Sequence, residues 1–221
     1  QSSRHAFTLI EMLVVVSIVV LLLAFATPAL TRTLQASRLS AVSESIMGAV
    51  SEAQQAAMTT NLPVELRFFS FKDNFDQAAL YHSYQLFKIT QTSQSSSAAT
   101  TTIQEGVIPL GNLVTLSEGI VIPTDSDVSK ALSGTGLEDT KSGGQVGYSG
   151  VSGATYKAFR FMPDGTCRNV GKTVGGLAAL TFPTLPDNYF TVTFDIGGVD
   201  ITPSKMPKNF VTIQIDPYTG K

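Results

Sequence analysis

Cysteine, histidine and charge are all scarce in this chain of 221 residues. The single cysteine, Cys167, excludes an intrachain disulfide, and the two histidines, His5 and His82, form no Cys/His cluster with the spacing of metal ligands. Charged residues make up 14% of the sequence, and the formal net charge is -2. A balance so close to neutral argues against binding of nucleic acid or acidic lipid through bulk electrostatics.

No residue pattern in the chain predicts an enzyme. Gly171-Lys172-Thr173 has the ending of a phosphate-binding loop, but Thr166 stands where the first glycine of that loop belongs. Cys167 has no base near it in the sequence that would activate its thiol. We therefore expect a protein that is not an enzyme and that holds no cofactor.

Two sets of polar residues are candidates for a metal site or a DNA-binding site, but ordinary exposure to solvent explains both sets. Asp125 and Asp127 form a D-x-D pair in a loop, but the calcium-binding EF-hand run is absent, so we expect no metal. Lys205, Lys208 and Lys221 near the C-terminus are dispersed along a slightly acidic chain. They are a weak basis for DNA binding, and we expect no nucleic-acid partner.

The longest apolar stretch runs from Phe7 to Leu30 and contains one carboxylate, Glu11, and one proline, Pro28. It can cross a membrane, because a hydrocarbon core takes about 20 residues of helix. Arg4 just before it predicts that the N-terminal side stays in the cytoplasm and that the rest is exported. A cleaved secretory signal, a plain anchor and an assembling helix are the three interpretations. Only the third explains a carboxylate that is costly inside a bilayer.

Residues Ala6-Phe7-Thr8-Leu9-Ile10-Glu11 resemble the processing site of type IV pilins and type II secretion pseudopilins. The resemblance implies that a prepilin peptidase cleaves between Ala6 and Phe7, that residues 1–6 are the remnant of a leader, and that the new amino terminus is N-methylated. It also implies that Glu11 contacts the terminal amine of a neighbouring subunit. Pro28 matches the proline that interrupts the long helix of the family, whereas Ala6 stands where the family usually has glycine.

The stretch after the membrane segment, 31–62, is amphipathic. Apolar residues recur at steps of mostly three or four, which indicates one buried stripe of a helix. Asn61 and Pro63 end the pattern. We predict a helix from about Phe7 to about Thr60, with a kink or local unwinding at Pro28.

The remainder, 63–221, predicts an exported β-rich domain with flexible polar loops at about 91–102 and 123–153. The fold class that we predict is α+β and pilin-like: a long N-terminal helix, half in the membrane and half amphipathic, packed on an antiparallel β-sheet domain. The strands are expected where apolar residues alternate or cluster: Val64–Ser70, Leu80–Thr90, Ile103–Leu110, Leu113–Leu116, Ile120–Ile122, Ala158–Met162, Tyr189–Ile196 and Phe210–Asp216.

Short pieces of this domain resemble minor pseudopilins of the GspH/FimT type. They are the helix-to-strand junction Ser51–Phe69, the turn around Pro163-Asp164-Gly165, and the terminal turn Asp216–Lys221. The ending also resembles that of a pseudopilin-like subgroup, protein D of the Verru_Chthon cassette.

The resemblance implies a structural function, that of a minor pseudopilin in a type II secretion-like pseudopilus. Its expected partners are other pseudopilins or pilins through the N-terminal helix, the prepilin peptidase and the bacterial inner membrane. The expected location is a single pass through that membrane with the C-terminal domain in the periplasm. Two alternatives remain open: a minor pilin of a type IV pilus for adhesion or DNA uptake, and an anchored binding protein that does not assemble.

Overall fold

The structure is a computed structural model that describes residues 8–70, 80–95, 101–133, 137–138, 155–174 and 177–221. The side chains of 25–30, 32, 92–95, 101–104, 137–138 and 172–174 lie outside this description. The chain divides into two units, Gln1–Arg38 and Leu39–Lys221.

One long helix, α1 (Leu9–Thr60), begins the described chain. It ends at Asn61, whose positive φ of 52° is the left-handed conformation that often follows a helix, and Pro63 prevents its continuation. The hydroxyls of Thr59 and Thr60 donate to the backbone carbonyls of Gln55 and Ala56, one turn earlier, so these polar side chains are satisfied within the helix. Helix α1 continues without a break through Pro28, so the predicted local unwinding is absent there.

Ten strands follow in the described part of the chain. In order they are β1 (Val64–Ser70), β2 (Tyr81–Ser95), β3 (Thr101–Thr115), β4 (Ile120–Val121), β5 (Leu137–Glu138), β6 (Thr155–Phe161), β7 (Cys167–Val174), β8 (Leu177–Thr181), β9 (Tyr189–Phe194) and β10 (Phe210–Gln214). Two short 3-10 helices, Lys130–Leu132 and Pro203–Lys205, lie between them.

The strands form two antiparallel sheets. The first has the order β3-β2-β1-β6-β7-β8, with β5 also paired to β6. Its two end strands, β3 and β8, come into contact, so the sheet is strongly curled. The second sheet has the order β10-β9-β4.

The core lies where the second half of α1 meets both sheets. Ile46, Ala53 and Ala57 of the helix are fully buried in it. Phe68 of β1 connects the layers, because its ring centroid lies 6.1 Å from that of Phe159 in the first sheet and 5.2 Å from that of Phe190 in the second. The predicted α+β fold, a helix packed on an antiparallel β-domain, is therefore confirmed.

The predicted flexible loop at 91–102 is wrong in part. Strand β2 continues to Ser95 and β3 starts at Thr101, so that residues of this polar stretch pair across a long two-stranded ribbon. The β-branched threonines near both ends of this stretch favour extended backbone, and the hairpin needs no apolar content at its outer end. Residues 96–100 lie outside the described part.

The second predicted loop, 123–153, contains a 3-10 turn at Lys130–Leu132 and the short strand β5. Residues 134–136 and 139–154 lie outside the described part. Strands β7 and β8 were not predicted. Glycine, asparagine and lysine interrupt the apolar alternation in β7, and the five residues of β8 do not alternate between apolar and polar. The predicted pairing of the strands near Tyr189 and Phe210 is confirmed by β9 and β10.

Candidate assembly site

Glu11 lies in the first turn of α1 and forms a capping box with Thr8. The backbone N–H and the hydroxyl of Thr8 each donate to Glu11 Oε2 at 2.8 Å, and the backbone N–H of Glu11 lies 3.3 Å from Thr8 Oγ1. This reciprocal pattern satisfies donors that every helix start leaves open. It also holds the exposed carboxylate at the very start of the helix.

The helix beyond Glu11 presents apolar side chains on every side. From Leu9 to Leu23, the large apolar residues are between 47% and 84% exposed. The hydroxyl of Ser17 donates to the carbonyl of Leu13 at 2.8 Å, so this polar group is satisfied within the helix. A continuous apolar surface of this kind indicates a segment that is covered by lipid or by other proteins.

In the part of the chain that the structure describes, no helix has both the length and the apolarity needed to cross a membrane. The predicted membrane segment, 7–30, includes Phe7 and the side chains of 25–30, which lie outside that part.

A cluster of charged side chains on the first sheet was not predicted from the sequence. Arg160 of β6 donates to Glu65 of β1 at 2.8 Å through Nε and forms a two-pronged ion pair with Glu105 of β3 at 2.7 and 2.8 Å. Arg67 pairs with Glu65 at 2.8 Å and lies 4.5 Å above the ring of Tyr156. All of these charges are on the face of the first sheet that is opposite Leu66 and Phe68, which belong to the core.

The surroundings of Glu105 and Arg160 favour the charged form of both side chains. Burial works to raise the pKa of Glu105, but hydrogen bonds from Arg160 and from the N–H of Ala178 in β8, with the charges of Arg160 and Arg67, outweigh it and lower that pKa. Burial likewise works to lower the pKa of Arg160, and the carboxylates of Glu105 and Glu65 outweigh it and raise that pKa. The charges of Glu65, Arg67, Glu105 and Arg160 balance one another, and with the N–H of Ala178 these side chains connect β1, β3, β6 and β8. The cluster therefore has a structural role.

One family model matches the chain: the prokaryotic N-terminal methylation motif, over residues 1–27. The chain carries the N-terminal signature of type IV pilin-like proteins and pseudopilins. The match covers the start of the chain and not the β-domain, and no curated protein and no solved structure matches the sequence.

The methylation motif is that of membrane-anchored pilins, which are processed by a prepilin peptidase and assemble with other pilins. Of the four residues predicted to act in processing and assembly, Ala6 and Phe7 lie outside the described residues. Pro28 is within α1, with its side chain outside the description. Glu11 is therefore the member of the predicted set whose geometry can be described.

Cys167, His82 and Gly171 all lie within strands, the first and last in β7 and His82 in β2. Cys167 at the start of β7 is fully buried, and burial raises the pKa of its thiol to about 12, which keeps it protonated and unreactive. His82 is half-buried in β2. Gly171 lies within β7 and not at a strand-to-helix turn, so it is not part of a phosphate-binding loop.

The acidic and basic candidates are at the surface or in turns. The carboxylate of Asp125 accepts a hydrogen bond from the N–H of Asp127 at 2.9 Å, which closes a local turn. Asp125 and Asp200 line a cavity of about 230 Å³, but no three His, Cys, Asp or Glu side chains in the described regions could hold a metal ion. Lys205, Lys208 and Lys221 are all exposed.

Proposed function

We propose that this protein is a minor pseudopilin, a structural subunit of a type II secretion-like pseudopilus that is anchored in the bacterial inner membrane with its β-domain in the periplasm. A prepilin peptidase cleaves it between Ala6 and Phe7. It is a structural protein and not an enzyme. The N-terminal methylation motif over residues 1–27 is the observation that carries the proposal.

The geometry of Glu11 supports an assembly function. Cleavage leaves a cation at Phe7 inside a bilayer, and Glu11 of the adjoining subunit neutralises it. Neither charge is tolerated alone in hydrocarbon, whereas the pair is tolerated and fixes the register of the two helices. In the described chain the hydrogen bonds from Thr8 all go to Oε2 of Glu11, so Oε1 is available to the neighbour.

Placement in the GspH/FimT type, and more narrowly with protein D of the Verru_Chthon cassette, is a finer proposal. It is supported by the junction Ser51–Phe69, which in the structure is the end of α1 followed by β1, and by the turn at Pro163-Asp164-Gly165. In that turn the N–H of Gly165 donates to the carbonyl of Met162 at 3.0 Å, and Gly165 has a positive φ of 87°.

The experiment that tests the assembly function separates the charge of Glu11 from its capping role. Glu11→Gln keeps the capping box, since the side-chain oxygen of glutamine also accepts from the N–H of Thr8, but it removes the negative charge. We expect both Glu11→Gln and Glu11→Ala to insert into the membrane at the wild-type level and to be lost from sheared filaments or cross-linked multimers.

Wild-type assembly of Glu11→Gln together with loss of assembly in Glu11→Ala would show that Glu11 acts only as a helix cap, and would contradict the charge pairing. Normal assembly of both variants would remove the assembly role of Glu11 altogether. The matched control is Glu118→Gln, which neutralises an exposed carboxylate in a turn of the β-domain and leaves the capping box intact.

A further inference from the structure

Strand β10 is the end strand of the second sheet, and in the part of the chain that the structure describes it pairs with β9 alone. Its residues Phe210, Thr212 and Gln214 are exposed, whereas Ile213 is buried in the core. An exposed end strand presents backbone donors and acceptors that can pair with a strand of another molecule. We call the side of β10 that faces away from β9 the free edge.

Two hydrogen bonds identify the backbone groups on the free edge. The N–H of Ile215 donates to the carbonyl of Asn188 at 3.1 Å and so continues the ladder between β10 and β9. Thr191 is opposite Thr212, but its N–H donates to Ser129 Oγ at 3.1 Å and not to β10. Hydrogen-bonded and non-hydrogen-bonded pairs alternate along an antiparallel ladder. The N–H and C=O of Thr212 therefore point away from β9.

The free edge is symmetric about Thr212, the middle residue of β10. By the same alternation, the backbone groups of Phe210 and Gln214 also lie on this edge. A second copy related by a two-fold axis at Thr212 places Thr212 opposite itself and Phe210 opposite Gln214. Each of these pairs can then form backbone hydrogen bonds between the copies.

The charges beyond the two ends of β10 fit the same arrangement. Lys208 and Asp216 are each four residues from Thr212, so the two-fold axis sets Lys208 of one copy opposite Asp216 of the other. Neither side chain forms an ion pair within the described regions. Asp216 accepts from the N–H of Tyr218 and the hydroxyl of Thr219, which are neutral donors that leave its charge uncompensated. The free edge is thus complementary in charge to a second copy of itself.

The same arrangement covers apolar side chains at the edge. Val211 is half-buried in the single chain, and the two-fold axis sets it opposite Ile213 of the other copy. Phe210 is 49% exposed and would pack beside Gln214 across the axis. Cross-strand neighbours of this kind stabilise a sheet.

We propose that β10 of one copy of this chain pairs with β10 of a second copy, antiparallel and about a two-fold axis at Thr212. Such a contact uses the same surface on both copies and closes on two of them, so it does not extend a filament. The inference therefore goes beyond the proposed function, and the contact should form without the pairing at Glu11.

Disulfide cross-linking of the full chain in bacterial membranes tests the pairing and its register. Phe210→Cys in one copy and Gln214→Cys in a second, differently tagged copy should give a linked dimer under mild oxidation. Either variant alone should give about a tenth of that yield, because equal positions are four residues, or about 13 Å, out of register. Cys167 is fully buried, with the pKa of its thiol raised to about 12, and so adds little background.

A proline at the centre of β10 tests the free edge itself. Thr212→Pro, added to both copies, removes an N–H that points away from β9 and leaves the ladder within the chain intact. It should lower the yield of linked dimer about tenfold. The matched control is Thr212→Val, which also loses the hydroxyl that lies 3.1 Å from Thr191 Oγ1 but keeps the N–H. It should give the wild-type yield, and the two variants should have similar melting temperatures.

A charge reversal provides a second test that does not depend on the folding of the proline variant. Lys208→Glu sets like charges opposite one another at Asp216 and should lower the yield about tenfold. The matched control is Lys205→Glu, which reverses another exposed cation outside the paired stretch and should leave the yield unchanged.

The contact is contradicted by the absence of a dimer between the Phe210→Cys and Gln214→Cys copies, or by equal yields from either variant alone. Equal yields in Thr212→Pro and Thr212→Val, in a folded subunit, or an adduct to another protein only, would also overturn it. Glu11→Gln separates the contact from the proposed function. A linked dimer that persists in this variant supports a closed pair, whereas a dimer that is lost with assembly would contradict it.

Discussion

Charged side chains have two different roles in this chain, and their surroundings separate them. Glu11 is exposed, and among the described residues its carboxylate accepts hydrogen bonds from Thr8. Arg160, Glu65 and Glu105 are enclosed under the curled sheet and already satisfy one another. The first arrangement is the one that the proposed assembly function uses, and the second serves the fold.

At the residue scale, Arg160→Met should destabilise the domain by about 3–5 kcal/mol, because it leaves the buried carboxylates of Glu65 and Glu105 without their shared cation. Thermal or urea unfolding of the full chain in detergent measures this loss. The control, Lys205→Met, removes an exposed charge and should stay within about 0.5 kcal/mol of wild type. Equal stability of both variants would show that the buried charge cluster contributes nothing to the fold.

The lowered pKa of Glu105 predicts a pH dependence. Because the pKa is lower in the folded state, the stabilisation is fully present above the unfolded-state pKa of about 4.3 and is lost as the pH falls through the folded-state pKa. Glu105→Gln has no such group to titrate. Its free energy of unfolding should therefore fall less steeply below pH 4 than that of wild type.

Urea unfolding at a series of pH values between 7 and 3 checks this dependence. Glu118→Gln, which replaces an exposed carboxylate in a turn, is the control. Parallel curves for wild type and Glu105→Gln over the acid range would contradict the assignment of this titration to Glu105.

At the scale of elements, the second half of α1 is fixed by one buried stripe. Ile46→Ala should cost about 2–5 kcal/mol of stability, because the side chain is fully buried between the two sheets. Met47→Ala, at the next position and 48% exposed, should cost much less. Unfolding of the two variants under identical conditions tests the orientation of the helix, and equal losses would contradict it.

The helix and most strands could be predicted because their signals are local. The apolar stripe of 31–62 and the alternation in β9 and β10 each depend on neighbours a few residues away. The ribbon of β2 and β3 could not be predicted in the same way, because its outer pairs, such as Thr92 with Gln104, are polar on both strands.

The buried charge cluster was missed for a similar reason. In β1 the charged residues Glu65 and Arg67 alternate with Leu66 and Phe68, a pattern that is typical of a strand with one face in solvent. Only the curl that brings β3 against β8 covers that face. The sequence of β1 itself gives no indication of this contact between two distant strands.

At the scale of the whole molecule, the chain combines an N-terminal segment with little to bury within itself and a β-domain with a complete core. The apolar side chains of 9–23 are exposed, whereas those of the second half of α1 are enclosed by two sheets. This division is what a membrane-anchored subunit that assembles through its N-terminal helix requires. The methylation motif over residues 1–27 supports the same account.

The amino-terminal residue of the protein extracted from membranes is the measurement that tests this account most directly. Intact mass and peptide sequencing, in a cell that has a prepilin peptidase, should show a chain that begins at N-methylated Phe7. A terminus upstream of Ala6 in such a cell, or a cut beyond Leu30, would contradict processing as a pilin-like subunit and with it the pairing at Glu11.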